Sequence, residues 1–288
     1  MRTDLHIHSL ASDGKLTVRE IFEEAKARNI GFLAITDHDS IACQTQASTL
    51  SKKEQVGYVT GVELNVTFSH PKYHEGKAVS LDFLGYQFDG DNEALGSKLV
   101  KIAEYREERA AKILKNLNTE FERENISALS QDDLRKIEES VDGVLGRPHI
   151  ADYLVKKNIV KTRQEAFDKY LVKCDAPKYP LYLEEASGLI RGAGGKLVLA
   201  HPNDPHGTSL AALSKSLFDQ TEIIQEKMLP YIDGVECWHS RNTAETTSHY
   251  VEFAKKEKLL MTGGSDCHQK PIIMGTVEIP DWVVNQFA

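Results

Sequence analysis

The sequence predicts an α/β fold carrying one long helical insertion. Three observations lead there. Short apolar runs alternate with amphipathic stretches of helical period, the rhythm of βαβ units with parallel strands. Most of those runs stop at a cluster of Asp, Glu or His. From about Asn92 to Asp175 strand character is absent, and apolar residues recur only at helical spacing. At 288 residues the chain has room for one large α/β domain or a domain with an insertion.

The chain opens on a strand through Asp4-Leu5-His6-Ile7-His8-Ser9. Side chains alternate along a strand, so His6 and His8 share one face while Leu5 and Ile7 share the other. Ser12-Asp13-Gly14 reads as a turn. Thr17 and Glu20 form a capping box for a helix with Val18, Ile21, Phe22 and Ala25 on its apolar stripe, ending near Asn29-Ile30-Gly31. Phe32 to Thr36 is an apolar strand buried on both faces, and it stops at Asp37-His38-Asp39. A second helix follows, then a strand from Tyr58 to Val66 containing Glu63.

Val79 to Tyr86 is a further strand, preceded by a loop carrying His70 and His74. Ser130 and Thr162 read as helix caps within the insertion, with Glu165 completing a box for Thr162. The α/β rhythm resumes with a helix near Glu184 to Gly192 and a strand, Leu197 to Ala200, ending at His201-Pro202. The strand Asp233 to Cys237 contains Glu236 and ends at Trp238-His239-Ser240. A helix from Thr243 to Glu257 leads to the strand Leu259 to Thr262, which ends at Asp266-Cys267-His268. A last strand is expected over Thr276 to Ile279. The division is therefore 1–91 with 176–288 as the main domain and 92–175 as the insertion.

Composition narrows the function. Apolar residues make up 41% and charged residues 27%, as in a soluble globular protein. A net charge of -8 and a pI near 5.8 exclude a broad basic surface for long duplex nucleic acid but leave room for a local cationic pocket. There is no apolar run of membrane-spanning length and no basic-then-apolar leader, so no membrane partner is expected. Four scattered cysteines without a C-x-x-C pair suit a reducing cytoplasm and speak against a thiolate zinc site.

Polar residues at the carboxyl ends of parallel strands converge on one face of a barrel or an open sheet. Here those ends offer His6, His8, Asp37, His38, Glu63, His201, Asp266 and His268. Imidazole and carboxylate donors without thiolate suit Mn, Fe or Zn, and there are too many for one ion. Closely spaced ions clamp the attacking and leaving oxygens of a phosphoryl displacement and lower the pKa of bound water, so a hydroxide replaces any Ser or Cys nucleophile.

These motifs, with Thr36-Asp37-His38-Asp39, Gly61-Val62-Glu63, Ala200-His201-Pro202 and Gly264-Ser265-Asp266-Cys267-His268, resemble the ordered set of the PHP (polymerase and histidinol phosphatase) superfamily. Their spacing and the insertion resemble its nucleoside 3',5'-bisphosphate phosphatase and short-RNA 5'-3' exonuclease branch. The resemblance implies a distorted (β/α)7 TIM-like barrel with two or three divalent ions at the strand ends. It assigns His6, His8, Glu63 and Asp266 to one ion, Glu63 and His201 to a second, and Asp13, His38 and His268 to a third. Where the family has a further His for the second ion, this sequence has Asp82, with His74 as the rival ligand.

Gly146-Arg147-Pro148-His149 starts a helix, an anion site in which Arg147 offers a bidentate grip. The resemblance places this segment over the metals as a substrate cap. His239 and Arg241 are expected at the substrate phosphate or ribose, with Glu236 either beside them or supporting a ligating His. His206 and His249 read as surface residues. The implied enzyme is a metal-dependent phosphatase of a small phosphorylated nucleotide. The alternatives are a 5'-3' exonuclease on short RNA oligonucleotides and, from another class, a non-catalytic metal-binding module.

Overall fold

The structure is a computed structural model, and it describes residues 1–141 and 143–287. Among the described residues eight strands form two sheets. Three short parallel strands, β1 (Arg2–Asp4), β2 (Ile30–Leu33) and β3 (Gly57–Tyr58), make the first. Helices α1 (Val18–Ala27) and α2 (Gln44–Glu54) cross between them, and the Thr17–Glu20 capping box that starts α1 is formed. The second sheet has the order β4 (Gly61–Phe68), β5 (Val79–Tyr86), β6 (Lys196–Leu199), β7 (Gly234–His239) and β8 (Leu260–Gly264).

The fold is a mixed α/β one, and it departs from an all-parallel expectation. β5 runs antiparallel to both β4 and β6. The physical reason lies in the connection: a parallel return needs a crossover of a dozen or more residues. The segment between β4 and β5 holds only the turn His74–Gly76 and is too short for one. The strand expected over Tyr58 to Val66 is divided at Val59-Thr60, so β3 and β4 belong to different sheets. Among the described residues the strands form no closed barrel. Backbone hydrogen bonds nevertheless join the sheets at both edges. Leu5 donates to the Gly263 carbonyl (3.0 Å) on one side, and Glu63 donates to the Asp37 carbonyl (3.2 Å) on the other.

The strand expected at Thr276 to Ile279 is not formed. Val277 and Ile279 pack instead on the interior between the sheets, with Leu5, Leu84, Tyr86 and Val198, and a 3-10 helix, Asp281–Phe287, follows. The main core lies between the second sheet and α7 (Leu183–Gly192), α8 (Leu217–Lys227) and α9 (Ala244–Glu257). The sequence pattern did not mark α8.

The segment between β5 and α7 is helical, with its own apolar cluster around Ile113, Leu117, Phe121, Leu154 and Leu171. It comprises α3 (Glu93–Arg123), α4 (Gln131–Glu138), α5 (Arg147–Lys156), α6 (Arg163–Ala166) and a π-helical turn, Phe167–Leu171. Ser130 caps α4 in a full capping box with Asp133. Thr162 accepts from the Glu165 amide, but the Glu165 carboxylate turns to the Lys161 amide instead of closing the box. No helix among the described residues is long and apolar enough to cross a membrane.

Candidate metal centre

The two seams between the sheets bring distant parts of the chain together. Past the end of β1, Asp266 donates its amide to the His6 carbonyl (2.8 Å), and His8 donates to that of Cys267 (3.1 Å). Gly264 makes the approach possible: a Cβ there would lie 2.3 Å from the His6 Cβ. At the other seam Asp39 donates to the Glu63 carbonyl (2.8 Å), which sets His38 beside Glu63. Asp39, His201 and Asp266 all take positive φ (48°, 24° and 55°). Such backbone is costly for residues other than glycine, and it persists where the surrounding structure fixes it.

The side chains converge on two carboxylates. Glu63 Oε2 lies 3.4, 3.2 and 3.1 Å from nitrogens of His6, His8 and His38, while its Oε1 lies 3.1 Å from His201 Nε2. Asp266 Oδ1 lies 3.4, 3.3 and 3.3 Å from His6, His8 and His268. His268 Nε2 is 3.3 Å from Asp13 Oδ1. Four overlapping groups result: His8 with Asp13, His38 and His268; His6 with His8 and Asp266; His6 with Glu63 and His201; and His38 with Glu63 and Asp82. In each, the potential donor atoms lie within 4.8 Å of one another.

Surrounding residues fix the orientation of this cluster. His6 donates Nδ1–H to Glu236 Oε1 (3.1 Å), which turns Nε2 toward Glu63 and Asp266. The other Glu236 oxygen accepts the His201 amide at 2.7 Å. Asp37 is not directed at the cluster. Its carboxylate accepts from the Ser9 amide and from the hydroxyls of Ser9 and Ser12, pinning the loop that carries Asp13. Asp4 accepts the amides of Ser265 and Gly275, tying β1 to the loop of Asp266 and His268. The roles of Asp4 and Asp37 were not legible in the motif, because a buried acceptor of amides and a metal ligand look alike in sequence.

Electrostatics follow from this packing. Burial alone would lower the pKa values of His6 and His8. Glu236, Glu63 and Asp266 instead hold His6 well above the ordinary imidazole range, and Asp266 and Glu63 push His8 up to about 10. His201 is likewise opposed by burial and raised by Glu63 to about 9. Burial would raise the carboxyls of Asp13, Glu63 and Asp266, but the imidazoles outweigh it and hold all three well below the usual range. Asp82 goes the other way, raised by burial and by the Glu63 charge.

Buried polar atoms test whether the site suits divalent ions. His6 Nε2, His8 Nε2, Asp13 Oδ1 and Glu63 Oε2 are buried without a hydrogen-bond partner, although they face one another. Unmatched polar atoms are rare in folded proteins and costly to bury. A shared cation satisfies them together, and the nitrogen and oxygen donor set fits Mn, Fe or Zn.

A cavity of about 450 Å³ opens over this floor, walled by α3, the start of α5, the π-helical turn and the loop after β6. Asp82 reaches it from the middle of β5, where it faces Asn65 across the antiparallel pair and accepts its side-chain amide. His74 is exposed in the turn before β5, outside the cluster. Arg147 lines the cavity and donates to Asp175 Oδ2 (2.8 Å), with its guanidinium 5.5 Å from the centre of the Phe167 ring. His149 is buried and accepts the Gly146 amide, which caps α5.

His239 is buried 3.5 Å from Asp266 Oδ2, beside the ligand cluster, and accepts the Arg241 amide on Nδ1. Arg241 lines the cavity and pairs with Asp204. The lining also includes Arg106, Arg109, Lys178, Tyr179 and the exposed His206, none of them marked as site residues by the sequence pattern. For Arg106, Arg109 and Lys178 the only signal there was charge in a helical or linking segment, which usually means a solvated face. His249 is half-buried, its ring edge-on to Tyr250.

Comparison with known proteins shows the family. The PHP domain family model matches residues 4–173, and the chain belongs to that family. It is 28% identical over 269 residues to the 3',5'-nucleoside bisphosphate phosphatase of Chromobacterium violaceum, covering 92% of this chain and 86% of that protein. It is 31% identical over 206 residues to a 5'-3' exoribonuclease of Haemophilus influenzae, covering 69% and 68%. The solved structure of a protein assigned as a metal-dependent phosphoesterase from Bifidobacterium adolescentis aligns with a TM-score of 0.81 at 28% identity, covering 99% of this chain and 94% of that one. The protein is a PHP-family metal-dependent phosphoesterase, a hydrolase acting on phosphoric esters.

Proposed function

We propose that the protein removes the 3'-phosphate from nucleoside 3',5'-bisphosphates, leaving the 5'-monophosphate. On this reading His6, His8, Glu63 and Asp266 hold one ion. Glu63, His201 and Asp82 hold a second, and Asp13, His38 and His268 hold a third. Divalent ions there supply an activated water and stabilise charge on the phosphoryl oxygens.

The protein's own groups do the rest. Glu63 and Asp266 keep the imidazoles in register, and Glu236 holds the His6 tautomer. The basic side chains of the wall attract and orient a phosphorylated ligand. The helical segment 92–175 acts as the cap that bounds the cavity. The nucleotide is a cytoplasmic metabolite on this reading, in keeping with four free, buried cysteines.

One observation carries the proposal: two carboxylates, each shared among several imidazoles, form the floor of a cavity whose wall carries four arginines and Lys178. Its volume falls in the range of small-molecule sites, roughly 300–1,000 Å³. Stepwise 5'-to-3' cleavage of short RNA is the second reading, supported by Phe167 and Tyr179 in the lining, since aromatic faces stack bases. The Arg147 guanidinium already sits against Phe167, which favours the mononucleotide.

The test is phosphate release by Mn-loaded protein from adenosine 3',5'-bisphosphate, with chromatography of the nucleoside product. Adenosine 5'-monophosphate as the product supports the proposal, and Asp266→Asn should remove most of the turnover. No phosphate released, with short RNA shortened instead, would replace it with the exonuclease.

A further inference from the structure

Five flexible cations line the cavity: Arg106, Arg109, Arg147, Lys178 and Arg241. Four are already committed to carboxylates. Arg106 pairs with Asp39, Arg109 and Arg147 share Asp175, and Arg241 pairs with Asp204. Lys178 differs: among the described residues it makes no hydrogen bond and no ion pair within 4.0 Å. Its neighbours in charge are Asp82 at the floor and the guanidiniums of Arg106, Arg147 and Arg109 on the wall.

A cation in a partly enclosed site costs free energy unless an anion balances it. Three guanidiniums share the carboxylates of Asp39 and Asp175, so this part of the wall carries an excess of positive charge before Lys178 is added. Burial and those guanidiniums hold Lys178 below the ordinary lysine value, at about 8, against the opposing pull of Asp82. An incoming anionic group restores the balance, whereas a neutral sugar or base does not.

We propose that Lys178 is the specificity-determining residue that receives the substrate's second, non-reacting phosphate, and so makes the site prefer bisphosphorylated over monophosphorylated nucleotides. The assignment rests on the phosphatase reading above. The reacting phosphate belongs at the imidazole–carboxylate floor, beside the ions, and a monophosphate held there leaves Lys178 without a partner. The paired arginines shape the wall. Lys178, which has no pairing to break, is the cation able to move onto the ligand at no such cost.

The test compares Mn-loaded wild type, Lys178→Gln and Lys178→Arg on adenosine 3',5'-bisphosphate and adenosine 3'-monophosphate, with KM and kcat resolved. Lys178→Gln should raise KM for the bisphosphate far more than it lowers kcat. The ratio of kcat/KM values for the two substrates should fall about ten-fold or more, the scale of one lost charge-assisted hydrogen bond. Lys178→Arg should recover most of that ratio. Equal losses on both substrates, or no loss on either, overturn the assignment.

Calorimetric binding of adenosine 3',5'-bisphosphate to wild type and Lys178→Gln separates the two layers. Weakened binding by the variant, in a protein that releases no phosphate, upholds Lys178 and overturns the phosphatase. Unchanged binding with intact turnover overturns Lys178 alone. Unchanged unfolding midpoints in both variants tie the effect to the ligand, and a lowered midpoint in both overturns the assignment in favour of a structural role.

Discussion

Glu236 holds His6 from behind. One carboxylate oxygen accepts Nδ1–H of the imidazole at 3.1 Å, and the other accepts the amide of His201 at 2.7 Å. A single buried side chain thus sets both a tautomer just past β1 and a backbone position after β6. Glu236→Gln presents an amide to one of these partners and removes the charge that favours the imidazole as a donor. Metal affinity should fall about 10- to 100-fold, the range for groups that orient a ligand. Metal titration of the apo-protein followed by metal analysis reads this directly, and an unchanged affinity would show the contact to be incidental.

Gly264 is the close-approach point between β8 and His6, where a Cβ would meet the His6 Cβ at 2.3 Å and its amide nitrogen at 2.4 Å. Gly264→Ala must push two backbones apart at the seam. The expected loss is about 1–3 kcal/mol of stability, as for an overpacked core. Urea unfolding measures it, and metal binding should weaken in parallel because His6 moves.

Arg106, on α3, pairs with Asp39, the residue after His38. Asp39 is buried, takes positive φ and also accepts the Asn65 amide, so its charge has few other partners. Arg106→Ala leaves that carboxylate inside without its cation, at a cost of roughly 1–3 kcal/mol. Unfolding experiments should show the loss. Asp39→Asn in the Arg106→Ala background should recover part of it by removing the stranded charge.

The metal-free protein should lose stability in alkali. His8 and His201 have folded-state pKa values of about 10 and about 9, above the ordinary imidazole value. The stabilisation they give is complete below that ordinary value, about 6.5, and is lost as pH rises through 9 and 10. The lowered carboxyls of Asp13, Glu63 and Asp266 act in the opposite sense: their contribution is present above the ordinary carboxyl range and lost in acid. Unfolding of chelator-treated protein should therefore be hardest near pH 5–6 and easier at pH 9. Ions must displace the imidazole protons, so metal affinity should rise over the same interval.

Much of the candidate site was visible before the fold. The alternation of His6 with Leu5 and Ile7, the Asp and His residues that stop each apolar run, and the helical period from Asn92 onward are local patterns. Strand and helix geometry translate them directly into faces and ends. Asp4 and Asp37 show the limit. Both are buried acids near the cluster, and only their hydrogen-bond partners reveal that they position the site, while for Glu236 those partners select between two roles the sequence left open.

What the sequence determined by itself was the identity of the side chains at the floor, because the chemistry of holding cations demands particular donor atoms wherever the chain puts them. The tertiary structure alone decided the direction of β5, the placement of Asp82 inside the cavity and of His74 outside it, and the pairing of the wall. A short connection reversed the strand and carried Asp82 inward. Partners far apart in the chain took up the charges of Arg106, Arg109, Arg147 and Arg241 and, among the described residues, left Lys178 without one. Pairing of charges across a cavity depends on distances in space, and no local period encodes those.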